Sequence, residues 1–461
     1  MNTVVVGFDY NFIRNSIIRL NEEKIINICR WFISGKTFDQ EGCKLKNSIF
    51  WRSILQWKDC SCEYKYDIPD DVYDYLYTRF AIYLDQLTRE SYYENRTIPE
   101  NKNVINILIH YMYDLLHGNN VEIILFSDAP HGAYACILHD MAKILGIRTL
   151  IIFPCYMQDK FLYCWDLDDI GLYKKNKALE QYIELDSNLF GHYEKKVYWP
   201  KEKNNNIIVI IKRIVESKKE SYHDYKMKYD NVYDYVSRHI IRTAQRSYRK
   251  YLYDYYSRKL FVNEIKENEK YVYFPLHLQP EMTTSTLGKE YNDQILAIER
   301  VARIIPEDWY IYVKENPLQT NAYRDKYFYK RLQGIKKVKL MKNNTNTYDL
   351  IRNSEFVATI TGTAGFEAIS GGKPVLAFGL AWYRGLPGVT IYNSNTALKD
   401  IFTDFTVEDV KEEYEKLKQN MIDGVVAEEC LQHVEIDYDK NCGVVYSFLR
   451  DMIKENEVEN V

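Results

Sequence analysis

The chain lacks several features, and each absence removes a class of function. No stretch reaches the roughly 18 consecutive apolar residues of a membrane span. The opening MNTVVVGFDYNFIRN has no basic stretch leading into a long apolar run. Neither a transmembrane helix nor a signal peptide is expected, and a cytoplasmic protein is the reading. No charge sign dominates: 61 Lys and Arg stand against 65 Asp and Glu, net −4, which gives no global pull toward nucleic acid. The 9 cysteines are scattered, and Cys60 and Cys62 form C-S-C rather than C-x-x-C. That spacing suits neither zinc nor a redox pair, and free thiols in a reducing compartment fit it. No D-x-D cluster follows a clear strand end. The nearest imitation, Asp166, Asp168 and Asp169 in DLDD, reads as a solvated loop. With no His/Cys set either, no metal and no other cofactor is expected. Amides and cations are then expected to carry the charge of a leaving phosphate.

What is present is ample for a folded enzyme. The chain has 461 residues, 46% of them hydrophobic, which predicts two large domains. Its 42 tyrosines can be stacking platforms for sugars or bases, or a compositional bias shared with Ile, Lys and Asn. Thr3 to Phe8 predicts a strand and Val104 to Leu116 a helix. VEIILFSD (Val121–Asp128) predicts a buried strand, AYACILHDMAKILG a helix ended by Gly146, and RTLIIFP (Arg148–Pro154) the next strand. The alternation resumes at Lys270 with YVYFPLH, a helix over Asn292–Ile304, then WYIYVKENP, KKVKLMK, TYDLIRNS, FVATITG, GFEAISGG, PVLAFG and GVTIYN. Two helical patterns close the chain. Residues 212–259 differ: 13 Lys and Arg, 6 Asp and Glu, no Gly or Pro. The expected division is a first domain over 1–205, a basic helical linker over 206–265, a second domain over 266–404 and C-terminal helices over 405–461. Parallel α/β sheets bind ligands beyond the carboxyl ends of their strands.

The sharpest constellation is ITGTAGFEAISGGKPVLAFG, Ile360–Gly379. Gly362 and Gly365 allow close approach of the backbone to a ligand and unusual dihedrals. Thr361 and Thr363 offer hydroxyls, and the helix start near Ala364 offers amides to a phosphate. Glu367, read as lying in the first turn, can accept paired hydrogen bonds from ribose hydroxyls. A plain helix-capping turn is the alternative. His277, Gln279 and Glu281 stand where a strand opens. Alternation points His277 and Gln279 to one side, and Glu281 can serve as acid or base or bind acceptor hydroxyls. Asp128 and His131 flank Pro130 at another strand end and can do acid–base work or simply cap a helix. Tyr383 and Arg384, after Trp382, can contact substrate or pack.

Together these motifs resemble the carboxyl-terminal domain of GT-B glycosyltransferases. More narrowly they resemble the bacterial capsule polysaccharide synthesis family, which includes β-Kdo transferases. YFPLHLQPE (Tyr273–Glu281) resembles that family's F-P-L-x-x-Q strand end, and YVKENP (Tyr312–Pro317) its K-x-H-P. SDAPHG followed by a helix ending AKILGI resembles the amino-terminal pattern of nucleotide-sugar enzymes. The resemblance implies an α/β protein with two Rossmann-like domains in the GT-B architecture, a helical linker and C-terminal helices. It implies nucleotide-sugar binding through His277, Gln279, Lys314, Asn316, Pro317, Thr361, Gly362, Thr363, Ala364, Gly365 and Glu367. The implied donor is a CMP-activated ulosonic acid such as Kdo, and the implied acceptor a glycan or glycolipid. Retention of configuration would call for a carboxylate nucleophile, Asp128 or Glu281. One departure stands out: the K-x-H-P histidine is Asn316, which can donate a hydrogen bond but adds no charge, leaving Lys314 to supply it. A UDP-sugar 2-epimerase and a non-catalytic saccharide-binding subunit are the rival readings. The basic segment reads as a solvated linker, or as a contact with the inner membrane where lipid-linked acceptors are held.

Overall fold

The computed structural model describes residues 1–34, 45–56, 65–91, 96–155, 157, 159–172, 240–241, 244–245, 247–256, 261–262, 266, 268–279, 281–316, 319, 324–418, 421–432 and 434–458. Its strands are β1 (Asn2–Val6), β2 (Asn27–Ile33), β3 (Ser48–Phe50), β4 (Ile123–Phe126), β5 (Arg148–Pro154), β6 (Lys160–Cys164) and β7 (Phe261–Val262). The rest are β8 (Tyr271–Pro275), β9 (Tyr310–Lys314), β10 (Val338–Met341), β11 (Phe356–Thr359), β12 (Val375–Ala377), β13 (Val389–Ile391) and β14 (Ile422–Asp423). They form two seven-stranded sheets, ordered β14-β6-β5-β4-β1-β2-β3 and β13-β12-β11-β8-β9-β10-β7. The second is parallel throughout. The first is parallel from β5 to β3, with β6 and β14 antiparallel at one edge. Helices cover both faces of such sheets, so inner strands read as unbroken apolar runs; β4 (IILF) and β11 (FVAT) are buried at every position. The α/β class with two Rossmann-like sheets is thus as expected.

Each sheet reverses its winding once. In the first, the chain runs outward from β1 to β2 and β3, then returns to place β4 on the other side of β1. In the second it runs from β8 to β9 and β10, then returns to place β11 beside β8. At such points the loops leaving adjacent strands diverge and a crevice opens. Every candidate site residue among those described lies on or near one of these two reversals.

The helices needed below are α1 (Arg14–Glu22), α2 (Phe80–Ser91), α3 (Ile98–Gly118), α4 (Ala133–Ile144), α5 (Met282–Ser285), α6 (Thr347–Asn353), α7 (Thr363–Ser370), α8 (Val407–Lys418) and α9 (Tyr438–Val458). Helix α3 starts on a capping box, Thr97 with Glu100, satisfying two of its otherwise orphaned donors. Helix α9 does not stand apart. Its Val445, Tyr446, Leu449 and Ile453 pack with Val5, Phe8 and Ile17 in the first domain's core, and Asn441 Nδ2 donates to Phe12 O at 2.8 Å. Of the basic segment, residues 247–256 are helical. Tyr256 stacks on Tyr329, centroids 5.1 Å apart, tying this stretch to the second domain; residues 212–239 lie outside the described residues. Among the described residues no helix is long and apolar enough to cross a membrane.

The domains share an apolar cluster that includes Leu167 and Ile170 with Leu287, Leu380 and Ala381, and they also meet at polar contacts. Gln86 Nε2 on α2 donates to Thr286 Oγ1 at 2.7 Å. Asp168 pairs with Lys143 on α4 at 3.1 Å and with Lys289 of the second domain at 2.6 Å. Asp168 and Asp169 in DLDD are exposed, as expected of a solvated loop, but the segment is also structured. It follows β6 directly, Asp166 caps a 3-10 turn, and Asp168 bridges the domains. Burial opposes ionisation of Asp168, but the two ammonium groups outweigh it and hold the pKa at about 2.

Candidate functional site

The second reversal is built around His277. Its ring is buried, and Nε2 accepts the Thr361 N–H at 3.2 Å, with Thr359 Oγ1 at 3.3 Å. Nδ1 lies near the Pro275 carbonyl without hydrogen-bond geometry. Burial pushes the pKa down to about 4, with the nearby Arg324 acting in the same direction. A neutral histidine thus clasps the loops after β8 and β11 together, with its proton on Nδ1. His277 is a strut of this turn.

Gln279 is equally committed. Its Oε1 accepts from Gln294 Nε2 and Arg324 Nη1, both at 2.9 Å, and its Nε2 donates to Asn292 O at 2.5 Å. Arg324 is fully buried and pairs with Glu315 at 2.7 and 3.0 Å. Its Nη2 also donates to His277 O at 3.2 Å. This buried bidentate pair fixes the loop from behind, and Gln279 belongs to it.

The glycines do not supply the unusual dihedrals expected. Gly362 and Gly365 are not at positive φ. A Cβ on Gly362 would lie 2.7 Å from His277 Nε2, and one on Gly365 would lie 2.2 Å from Tyr383 Oη. They make room for protein side chains. Tyr383 is fully buried and donates to Gly362 O at 2.5 Å, so it braces the turn. Arg384 is also buried. Its Nη2 donates to Asp168 O across the domain boundary, which makes it an interdomain contact.

Several groups at this reversal are not used up. Lys314, at the end of β9, is 5% exposed and has no ion pair with a described carboxylate; Nζ donates to Thr347 Oγ1 at 2.7 Å. Burial lowers its pKa. Thr363, the first residue of α7, is exposed, and Ala364 follows half-buried. Thr361 spends its hydroxyl on Thr283 O at 2.7 Å. Glu367 is the fifth residue of α7, in the second turn rather than the first. It is half-buried without a hydrogen bond or ion pair to a described residue, and burial raises its pKa. Asn316 is half-buried, and its N–H donates to Glu315 Oε1 at 2.9 Å. Pro317 lies outside the described residues. Glu281 precedes α5, where its carbonyl accepts from Ser285 N at 2.7 Å.

The first reversal holds a cavity of about 510 Å³. Asp128 and His131 both line it, with His131 Nδ1 3.6 Å from Asp128 Oδ2 and 2.9 Å from Ala129 O. Asp9, Arg52, Ser127 and Glu428 line it too. These four were missed by sequence reasoning, although Asp9 stands just past the predicted strand in VVVGFD, a signal of the same kind as Asp128. Glu281 is not part of this lining. Among the described residues no group of three or more His, Cys, Asp or Glu could hold a metal ion.

A family model described as "Capsule polysaccharide biosynthesis protein" matches residues 167–409. No curated protein matches the chain. Among solved structures the chain is similar to the β-Kdo 2,7-transferase KpsC of Thermosulfurimonas dismutans, at 13% identity and TM-score 0.32, over 77% of this chain and 97% of that one. It is similar to the β-Kdo 2,4-transferase KpsC of the same organism at 12% and 0.28, over 63% and 78%. A UDP-GlcNAc 2-epimerase from Neisseria meningitidis bound to UDP-GlcNAc matches at 13% and 0.24, over 99% and 100%. Likenesses this remote decide nothing about the site.

Proposed function

The chain belongs to the capsule polysaccharide biosynthesis protein family, and on that premise we propose that it is a glycosyltransferase moving a sugar from a nucleotide-activated donor to a capsule or other surface-glycan acceptor. The observation that carries the reading is Glu367. A half-buried carboxylate with no described partner is costly to hold unless a ligand supplies donors. It lies one turn into the helix that begins at the second reversal, where vicinal ribose hydroxyls would reach it. The start of α7 at Thr363 and Ala364 would face the phosphate. Lys314 would supply the positive charge that Asn316 does not, and would stabilise the leaving phosphate without a metal. The donor in this reading is a CMP-activated ulosonic acid such as Kdo.

The acceptor would enter at the first domain. Asp128, beside His131 and open to the cavity, is the carboxylate we place nearest the reacting carbon, as nucleophile in a retaining transfer or as base in an inverting one. Glu281 is the alternative. Peripheral contact with the inner membrane through residues 212–259 belongs to the same reading, since lipid-linked acceptors are held there.

Calorimetry on the intact protein tests the proposal. CMP or UDP should bind, and Glu367→Ala should weaken that binding by about 1–3 kcal/mol, the scale of a lost charged hydrogen bond. Unchanged nucleotide affinity in a folded variant would overturn the site. Turnover of a UDP-sugar with no acceptor present would redirect the reading to an epimerase.

A further inference from the structure

The acceptor side carries a group that neither the family nor the donor reading uses. Asp9 is 3% exposed and lines the cavity at the first reversal. Its Oδ2 accepts the Ser34 N–H at 2.7 Å, and Oδ1 makes no hydrogen bond to a described residue. A carboxylate held in the floor of a cavity with one oxygen open to it can accept hydrogen bonds from a ligand there. The chain makes a definite effort to put it there. Gly7 turns at φ +75°, and a Cβ at that position would lie 1.9 Å from Ser127 Oγ. Only glycine lets the loops after β1 and β4 close to this distance and carry Asp9 under the cavity floor.

The rest of the lining has two characters. One wall is aromatic: Trp51 and Tyr134 stack with centroids 5.5 Å apart, and Phe32 lies 5.6 Å from Tyr134. Among its charged groups, carboxylates outnumber guanidinium and ammonium groups. Asp9, Asp128 and Glu428 share the lining with His131 and with Arg52, the one Lys or Arg in the described lining, which lies over the Trp51 ring at 5.0 Å. Carboxylates accept paired hydrogen bonds from adjacent hydroxyls, and aromatic walls receive the C–H face of a sugar ring. The 510 Å³ volume falls within the roughly 300–1,000 Å³ of small-molecule sites. Three carboxylates against one guanidinium disfavour a ligand that is itself an acid.

We infer that this cavity is the acceptor subsite, that it takes an uncharged, hydroxyl-rich sugar rather than an acidic one, and that Asp9 sets this preference. The inference rests on the proposal that the acceptor enters at the first domain. It is separable from the donor reading, because nucleotide binding is measured on the other sheet.

Saturation-transfer NMR and calorimetry on the full chain would use methyl glycosides of galactose and N-acetylglucosamine as neutral probes and the methyl glycoside of Kdo as the acidic one. At least one neutral probe should bind about tenfold or more tightly than the acidic probe. Asp9→Asn keeps the Ser34 contact but replaces the Oδ1 acceptor with a donor. It should weaken the neutral probe about tenfold and leave CMP and UDP affinity unchanged. Glu428→Lys, at the exposed rim, should shift the preference toward the acidic probe. Tighter binding of the acidic probe, no binding of any probe, or indifference of a folded Asp9→Asn variant would each overturn the inference. If nucleotide still binds in that protein, the donor reading stands and only the acceptor assignment falls.

Discussion

The two reversals share a topology and differ in their side chains. At β1 and β4 the diverging loops leave a cavity of about 510 Å³. At β8 and β11 the His277 ring, the Tyr383 hydroxyl and, behind them, the Arg324–Glu315 pair knit the diverging loops together. The difference teaches that parallel topology decides where a crevice can form, while the side chains there decide whether it is a pocket or a platform. A pocket can enclose a sugar. A rigid platform can hold a helix start, a buried lysine and a carboxylate at fixed positions for a phosphate and ribose, which is the preorganisation that charge stabilisation needs.

The comparison breaks most readily at Arg324. Arg324→Ala leaves Glu315 buried and unpaired, with a loss of about 3–5 kcal/mol expected in urea unfolding. A loss under about 1 kcal/mol would mean that the second reversal is not held from behind.

Acid should act on the same platform. The folded pKa of His277, about 4, lies below its unfolded value of roughly 6.5. Between these values the unfolded chain binds the proton and the folded one does not. The stability that depends on neutral His277 is therefore complete above roughly pH 6.5 and falls toward pH 4, by about 3 kcal/mol. His277→Asn should flatten that part of the profile; an unchanged slope would remove His277 as its cause.

Lys314→Met sharpens the contrast between stability and use. Below the lowered folded pKa of Lys314, the buried ammonium carries its full desolvation cost, which is relieved as pH rises through that pKa toward roughly 10.4. A methionine of similar shape should change stability at neutral pH by less than about 1.5 kcal/mol, abolish the alkaline gain, and weaken nucleotide binding. A variant that loses stability and keeps nucleotide affinity would make Lys314 a structural residue.

The second sheet was legible nearly strand by strand, because its elements are local, apolar and punctuated by Gly and Pro. The first sheet was legible only at β1, β4 and β5. Strand β2 carries Arg30 in its middle and does not read as a buried run, while β6 (KFLYC) is short, opens on a lysine and pairs antiparallel on both sides. Strand β14 joins the sheet by pairing Ile422 with Phe161, a long-range contact that no local pattern encodes. The site followed the same rule. Asp128, His131, His277, Lys314 and Glu367 could be named from strand ends and helix starts. The roles of Gly365 and Tyr383 could not, because each is defined by the other across the fold. Asp9 acquires meaning only once β1 and β4 are neighbours.

The return of α9 to the first domain also sets an order of assembly. Residues 438–458 complete a core that includes Val5, Phe8 and Ile17, so the first domain is built from both ends of the described chain. The second sheet lies wholly between residues 261 and 391. During synthesis it can close while the first domain still lacks its last helix, and the amino-terminal apolar face must wait through translation of the whole second domain, a demand that chaperones or slow collapse have to meet.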